Sequence, residues 1–318
     1  MPEFIFKRTD ELNGSELLQA TELFKAVFDK SRSTDDMLRQ YVNNPLGYSY
    51  HSLIVDGGRI VGMSGYVPVY FIVRGERMLF ATSVDSCVEK GYRDFFNYND
   101  MVQTAYSHLK EAGVKFVYGY PNDNAYPVVI KSRLMEDIGT MDTYCLPYRV
   151  GGVKPGLKWL NPLSRVFTRL FVHVSGLLSQ KKEAKFPISK DLASCNATRY
   201  KRGDGKYTIT ENDRKGFAYK VMEYEGIRCA FLIDVWPKSS RSFNKAVSHI
   251  LKVERKAFDL LLYPGHLPFG NTSMIRLPLS MSPKKFHFTG KILDPTLRKE
   301  DVFSIEAWDT NLSNYDLL

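Results

Sequence analysis

Apolar positions along the chain keep two different spacings. From Glu16 to Phe28, residues Leu17, Leu18, Leu23, Phe24, Val27 and Phe28 recur at helical intervals, and a second helix is predicted from Thr34 to Val42, stopping before Asn43-Asn44-Pro45. The spacing then shortens to alternation. HSLIV turns at Asp56-Gly57-Gly58, RIVGMSGYVPVYFIV turns at Arg74-Gly75-Glu76, and RMLFATSVDSCV completes a β-meander. After the polar stretch VEKGYRDFFNYND, Val102, Ala105, Tyr106 and Leu109 mark one face of a helix ending at Gly113. VKFVYGY is then a strand closed by Pro121-Asn122.

The order repeats in the second half. GFAYKVMEYEGIRCAFLIDVW reads as a hairpin turning at Glu225-Gly226, and a helix from about Ser242 to Arg255 follows. AFDLLLYP is a strand ending in Tyr-Pro, as VKFVYGYP does. Two similar lobes are expected, with boundaries at 1–150 and 196–318 and a linker over 151–195. In the linker, Leu163, Val166, Phe167, Leu170, Phe171, Val174, Leu177 and Leu178 form one helical stripe, while Arg165, Arg169 and His173 fall outside it. The pattern is that of a basic amphipathic helix, which can lie on an anionic membrane. Here the expectation is a bridging helix packed against a lobe or another subunit; a homodimer fits this, and no membrane partner is expected.

Length agrees with two domains, since 318 residues exceed a typical single core. A formal charge of +9 favours anionic partners, but the excess is scattered. Four separated cysteines without a CxxC pair, and six histidines without ligand spacing, argue against a metal site or a disulfide framework. The N-terminus turns polar by Lys7 and no apolar run reaches the length of a membrane span, so the expected location is cytoplasmic.

Meander, loop, helix, strand and helix, in that order, resemble the GNAT superfamily of acyl-CoA-dependent N-acyltransferases. The likeness is closest in YGYPNDNAYPVVIKSRLMEDIG, Tyr118 to Gly139, where a strand ends in Gly-Tyr-Pro-Asn and Lys131 precedes a short strand. The resemblance implies an α/β (α+β) mixed-sheet acyl-CoA N-acyltransferase fold in two tandem lobes, as in several tandem GNAT subfamilies. It implies a V-shaped slot between two splayed parallel strands. Acetyl-CoA would lie there, with its pantetheine on the strand end at Ser86, Cys87 and Val88, and its pyrophosphate on the following loop and helix N-terminus.

In the family that loop reads Tyr-Arg-Gly-x-Gly. Tyr92 and Arg93 are kept, but Asp94 and Phe96 occupy the glycine positions, bringing a carboxylate and a Cβ to a place of close backbone approach. The cofactor contacts implied by the resemblance are Cys87, Val88, Arg93, Phe95, Phe96, Asn97, Tyr98, Asn122 and Asn124. Asp85 is the candidate base and Tyr126 the candidate acid, although the family's tyrosine position, two before Lys131, holds Val129. A second anion site is conceivable at Lys238, Ser239, Ser240, Arg241 and Ser242, before a helix, and the carboxylate of Leu318 could reach the first slot. The expected activity is acetyl transfer from acetyl-CoA to an amine of a small metabolite or amino sugar. Two alternatives stay open: a binding protein that has lost the cofactor loop, and a FemAB-like aminoacyl transferase. Nucleic acid is expected as a partner only under the last, as tRNA.

Overall fold

The computed structural model describes residues 2–202, 205–212, 215–282 and 284–315. It opens with β1 (Glu3–Arg8), α1 (Gly14–Phe28) and α2 (Thr34–Val42). Asn13 caps α1 by accepting from the Glu16 N–H, and Ser33 caps α2 by accepting from Asp36, satisfying N–H groups that a helix start leaves unpaired. A meander follows: β2 (Tyr50–Asp56), β3 (Arg59–Val73) and β4 (Glu76–Val88). Its first turn needs left-handed backbone, which Gly57 and Gly58 supply at φ +56° and +79°. Next come α3 (Phe95–Glu111), β5 (Phe116–Gly119), α4 (Tyr126–Lys131), β6 (Glu136–Met141) and β7 (Thr143–Pro147).

The remainder contains α5 (Val150–Val153), α6 (Asn161–Leu177), β8 (Ile188–Lys190), α7 (Leu192–Thr198), β9 (Thr208–Asn212), β10 (Lys215–Tyr224) and β11 (Ile227–Trp236). It closes with α8 (Ser240–Val253), β12 (Leu260–Pro264), β13 (Ile275–Arg276), β14 (Phe286–Ile292) and α9 (Lys299–Val302).

Two mixed sheets result. The first runs β1-β2-β3-β4-β5-β14-β6, with β8 added to β3; the second runs β13-β7-β12-β11-β10-β9. Each has one parallel pair, β4 with β5 and β11 with β12, and the chain crosses over through α3 and α8 respectively. The expected lobe boundaries are each crossed by a strand. β7, from the first half, pairs with β12 in the second sheet, and β14, from the second half, inserts between β5 and β6 in the first. Local periodicity reports that a segment is a strand, not which edge it joins, so this exchange was not visible in the sequence. The insertion is tight: a Cβ on Gly290 of β14 would lie 2.2 Å from the Phe116 ring.

The halves share more than strands. Trp308, fully buried, packs in the first lobe's aromatic core with Phe71, Phe80, Phe116 and Phe288. Between the sheets, Lys190 lies 2.7 Å from Asp234 and Lys238 lies 2.9 Å from Asp309, with Asp234 completely buried. Asn311 donates to Asp234 at 2.7 Å. Such groups tolerate burial because each charge has an opposite partner and hydrogen bonds.

The linker helix α6 meets the rest of the chain along a narrow face. The face that α6 turns to the protein carries Thr168, Val172 and Ser175, while Leu163, Val166, Phe167 and Leu170 are each 60 to 65 % exposed. Within the stripe Phe171 packs against the core of the second lobe, while most of its other members face outward.

Candidate active site

The site starts from an irregularity in β4. Its ladder with β5 covers only Phe80–Phe116 to Ser83–Gly119, while its ladder with β3 slips one residue between Met63 and Gly65. Asp85 sits in that bulge at φ +52°, a conformation that side chains other than glycine rarely take. Beyond Ser83 the two parallel strands lose their pairing, and a cavity of about 250 Å³ opens there. Its walls come from β4 (Ser83, Asp85, Ser86), from Tyr98 of α3, and from Tyr120 and Asn122 after β5. Lys284 and Tyr315, from the second half, also line it.

Asp85 is held firmly. Its Oδ2 accepts from Arg32 Nη1 at 2.7 Å and from the Tyr41 hydroxyl at 2.9 Å, and its side chain is 3 % exposed. Arg32 lies in turn over the Phe24 ring, 4.4 Å from its centroid. Burial, then the neighbouring Asp85 charge, push the Tyr41 phenol well above its ordinary value, so it remains a donor. Ser86 Oγ lies 2.7 Å from Ser64 Oγ across the bulge. Tyr120 and Thr310 share a hydroxyl hydrogen bond of 2.6 Å, and Lys284 Nζ donates to the Tyr315 hydroxyl. Burial also lowers the Lys284 ammonium.

The structure brings together only some of the residues expected from sequence. Asp85, Tyr98 and Asn122 line the slot. Asn122 also uses its side-chain oxygen to accept from the N–H groups of Asn124 and Ala125, while Asn124 is exposed. Cys87 and Val88 are buried at the end of β4, where burial pushes the Cys87 thiol up and leaves it unreactive. Tyr126 is absent from the slot lining; its ring stacks on His287 at 4.0 Å, and Val129 lines the slot instead. The Leu318 carboxylate lies outside the described residues. Lys284 and Tyr315 were missed, because nothing near them in sequence ties them to β4. Among the described residues, no three His, Cys, Asp or Glu side chains gather to hold a metal ion.

The loop after β4 is arranged differently from a phosphate cradle. Arg93 folds back and donates from Nε to the Val88 carbonyl at 2.7 Å, and Tyr92 donates to Asp56 at 2.6 Å. Asp94 caps α3: one carboxylate oxygen accepts from the Asn97 N–H at 2.7 Å, the other from its Nδ2 at 2.6 Å. Helix α3 begins at Phe95, and Phe96 is 74 % exposed. The slot suits a narrow acyl-bearing arm. Its outer end is less favourable to a pyrophosphate, because the chain's own carboxylate, Asp94, caps the helix N-terminus.

The turn before α8 is likewise filled from within. Lys238 belongs to the buried ion network, and Ser239 caps α8 by accepting from the Ser242 N–H. Ser240 donates to the Asn271 carbonyl, so Lys238, Ser239 and Ser240 are engaged within the protein, whereas Arg241 lines a groove beside α6.

A strand bulge that opens a slot between parallel strands, with a helix crossing behind it, is the arrangement expected of one family, and the family model agrees. The model described as an acetyltransferase (GNAT) domain matches residues 8–129. The first lobe is a GNAT domain. Known structures extend the GNAT fold over most of the chain. A probable N-acyltransferase from Enterococcus faecalis, of unknown function, is similar at 10 % identity and TM-score 0.55, covering 95 % of this chain and 74 % of that one. A GCN5-related N-acetyltransferase from Anabaena variabilis shows 12 % identity and TM-score 0.56, covering 91 % and 73 %. Another from Kribbella flavida gives 10 % and 0.59, covering 92 % and 72 %. No curated protein matches the sequence.

Proposed function

We propose that this GNAT protein is an N-acyltransferase that carries an acyl group from a thioester, acetyl-CoA in the simplest case, to the amine of a small metabolite in the slot between β4 and β5. The observation that carries this reading is the buried Asp85 carboxylate, fixed in left-handed backbone and facing a cavity that also contains a Lys–Tyr hydrogen-bonded pair. A bound thioester supplies an activated acyl carbonyl. Arg32 and Tyr41 hold Asp85 through Oδ2, which leaves Oδ1 to take a proton from the incoming ammonium. On the other side of the slot, the Tyr315 hydroxyl, polarised by the Lys284 ammonium that donates to it, returns a proton to the departing sulfur. Tyr98, Tyr120 and Val129 form part of the slot walls.

The reading is tested by thiol release from acetyl-CoA and longer acyl-CoA at millimolar concentration, with a panel of small amines and amino sugars. Amine-dependent release is expected, lowered at least 100-fold in kcat by Asp85→Asn. Absence of release from both the wild type and Asp94→Asn would sink it. Asp94 itself favours a second reading, a binding protein of the same fold, which that negative result would support.

A further inference from the structure

Helix α6 presents its apolar side outward. Leu163, Val166, Phe167, Leu170, Val174 and Leu177 follow intervals of three and four, and all are exposed, from 44 % at Val174 to 71 % at Leu177. Trp159, just before the helix, is 76 % exposed and Leu178, just after it, 70 %. A contiguous apolar ridge of this kind marks an interaction surface.

The segment that carries the ridge is basic. From Arg149 to Lys182 the chain holds seven Lys or Arg residues and no Asp or Glu. Arg169 and His173 occupy the flank of α6 that faces α8, where two adjoining cavities of about 300 and 450 Å³ form a groove. Across it, α8 contributes Arg241, Lys245 and Lys252, and Arg255 follows. A basic row on α8, with Arg169 of α6 opposite, thus lines a trough beside an apolar ridge.

We infer that this face docks on an anionic lipid bilayer. Helix α6 lies in the plane of the interface, its ridge enters the boundary between headgroups and acyl chains, and the trough receives lipid phosphates. A second copy of this chain is the poorer occupant: two such ridges brought together would juxtapose their like-charged flanks, and α6 has no acidic side chain to pair with them. Among the described residues no helix is long and apolar enough to cross a membrane, so the association is peripheral. The inference is independent of the acyl-transfer reading.

The test is co-sedimentation of the full chain with phosphatidylcholine vesicles and with vesicles containing phosphatidylglycerol. At least tenfold stronger binding to the anionic vesicles is expected, weakening with salt. Trp236 and Trp308 are buried, so the exposed Trp159 should give a blue shift in fluorescence on binding, a readout that needs no variant. Phe167→Ser with Leu170→Ser should reduce binding at least tenfold without altering the melting temperature, because both side chains are exposed. Lys245→Gln with Lys252→Gln should reduce it by roughly fivefold per residue. Equal binding to neutral vesicles, no binding to either, or no effect of the ridge variant overturns the inference. So would a dimer that the ridge variant dissociates and that ignores vesicles.

Discussion

Asp94→Asn tests whether the carboxylate at the start of α3 is what weakens the cofactor end of the slot. Asparagine can accept from the Asn97 N–H as aspartate does, so the cap survives and stability changes by at most about 1 kcal/mol from the lost charge at the helix end. What disappears is one negative charge beside the place where a pyrophosphate would sit. Taking about 5 Å and the dielectric of water, for an exposed site, each phosphate charge repels the carboxylate by roughly 0.8 kcal/mol, so two cost about 1.6 kcal/mol. Screening at 10 mM salt leaves about 1.3 kcal/mol, a roughly ninefold gain in acetyl-CoA affinity. At physiological ionic strength the gain falls to about fourfold, and at 1 M salt to less than twofold. Calorimetric titration of both proteins at three salt concentrations measures the ratio. If Asp94→Asn binds no tighter at 10 mM salt, or if the gain does not shrink with salt, the carboxylate is not the obstacle.

Three further outcomes are expected. Tyr315→Phe should lower kcat about 100-fold with acetyl-CoA, with little change in KM, and the deficit should shrink with an aryl thioester whose thiolate needs no proton; steady-state kinetics with both donors separate these. Asp234→Ala leaves Lys190 buried without its closest anion and should cost about 3–5 kcal/mol in urea denaturation. Burial pushes the His51 imidazole, beside Thr9, down to about 3. The unfolded chain therefore takes up a proton below about pH 6.5 that the folded one does not, so stability falls with pH from there to about 3, by about 2 kcal/mol at pH 5 from this one group. His51→Gln should flatten the dependence between pH 7.5 and 5 by that amount; an unchanged slope would refute the assignment.

Much of the first lobe was legible in the sequence because its information is local. Alternation in 51–88 delivers the meander, Asp56-Gly57-Gly58 delivers its turn, and the Tyr92-Arg93 remnant locates the loop. The role of Asp94 was half legible: its charge was plain, but its service as a helix cap depends on where α3 begins. Tyr126 was misplaced relative to the slot because a six-residue helix presents different faces within one turn, and the stacking on His287 draws it to β14. Lys284 and Tyr315 could not be read at all, since they reach the slot by a strand exchange that leaves no periodic trace. The stripe of α6 was expected to pack against a lobe or another subunit; within this chain Phe171 joins the core of the second lobe while most of the stripe faces outward. A hydrophobic pattern fixes which residues share a face, not whether that face meets protein.

The exchange of β7 and β14 also bears on how the chain can be made. When the ribosome has released the first 150 residues, β5 and β6 exist but the strand that joins them does not, and more than a hundred residues must still be added before it emerges. The nascent first lobe therefore waits with two open strand edges, a state that invites association with other chains. Cutting the gene between the lobes would make that waiting state permanent, and mixing the two pieces would restore the sheet only if β14 and β7 each found the other half.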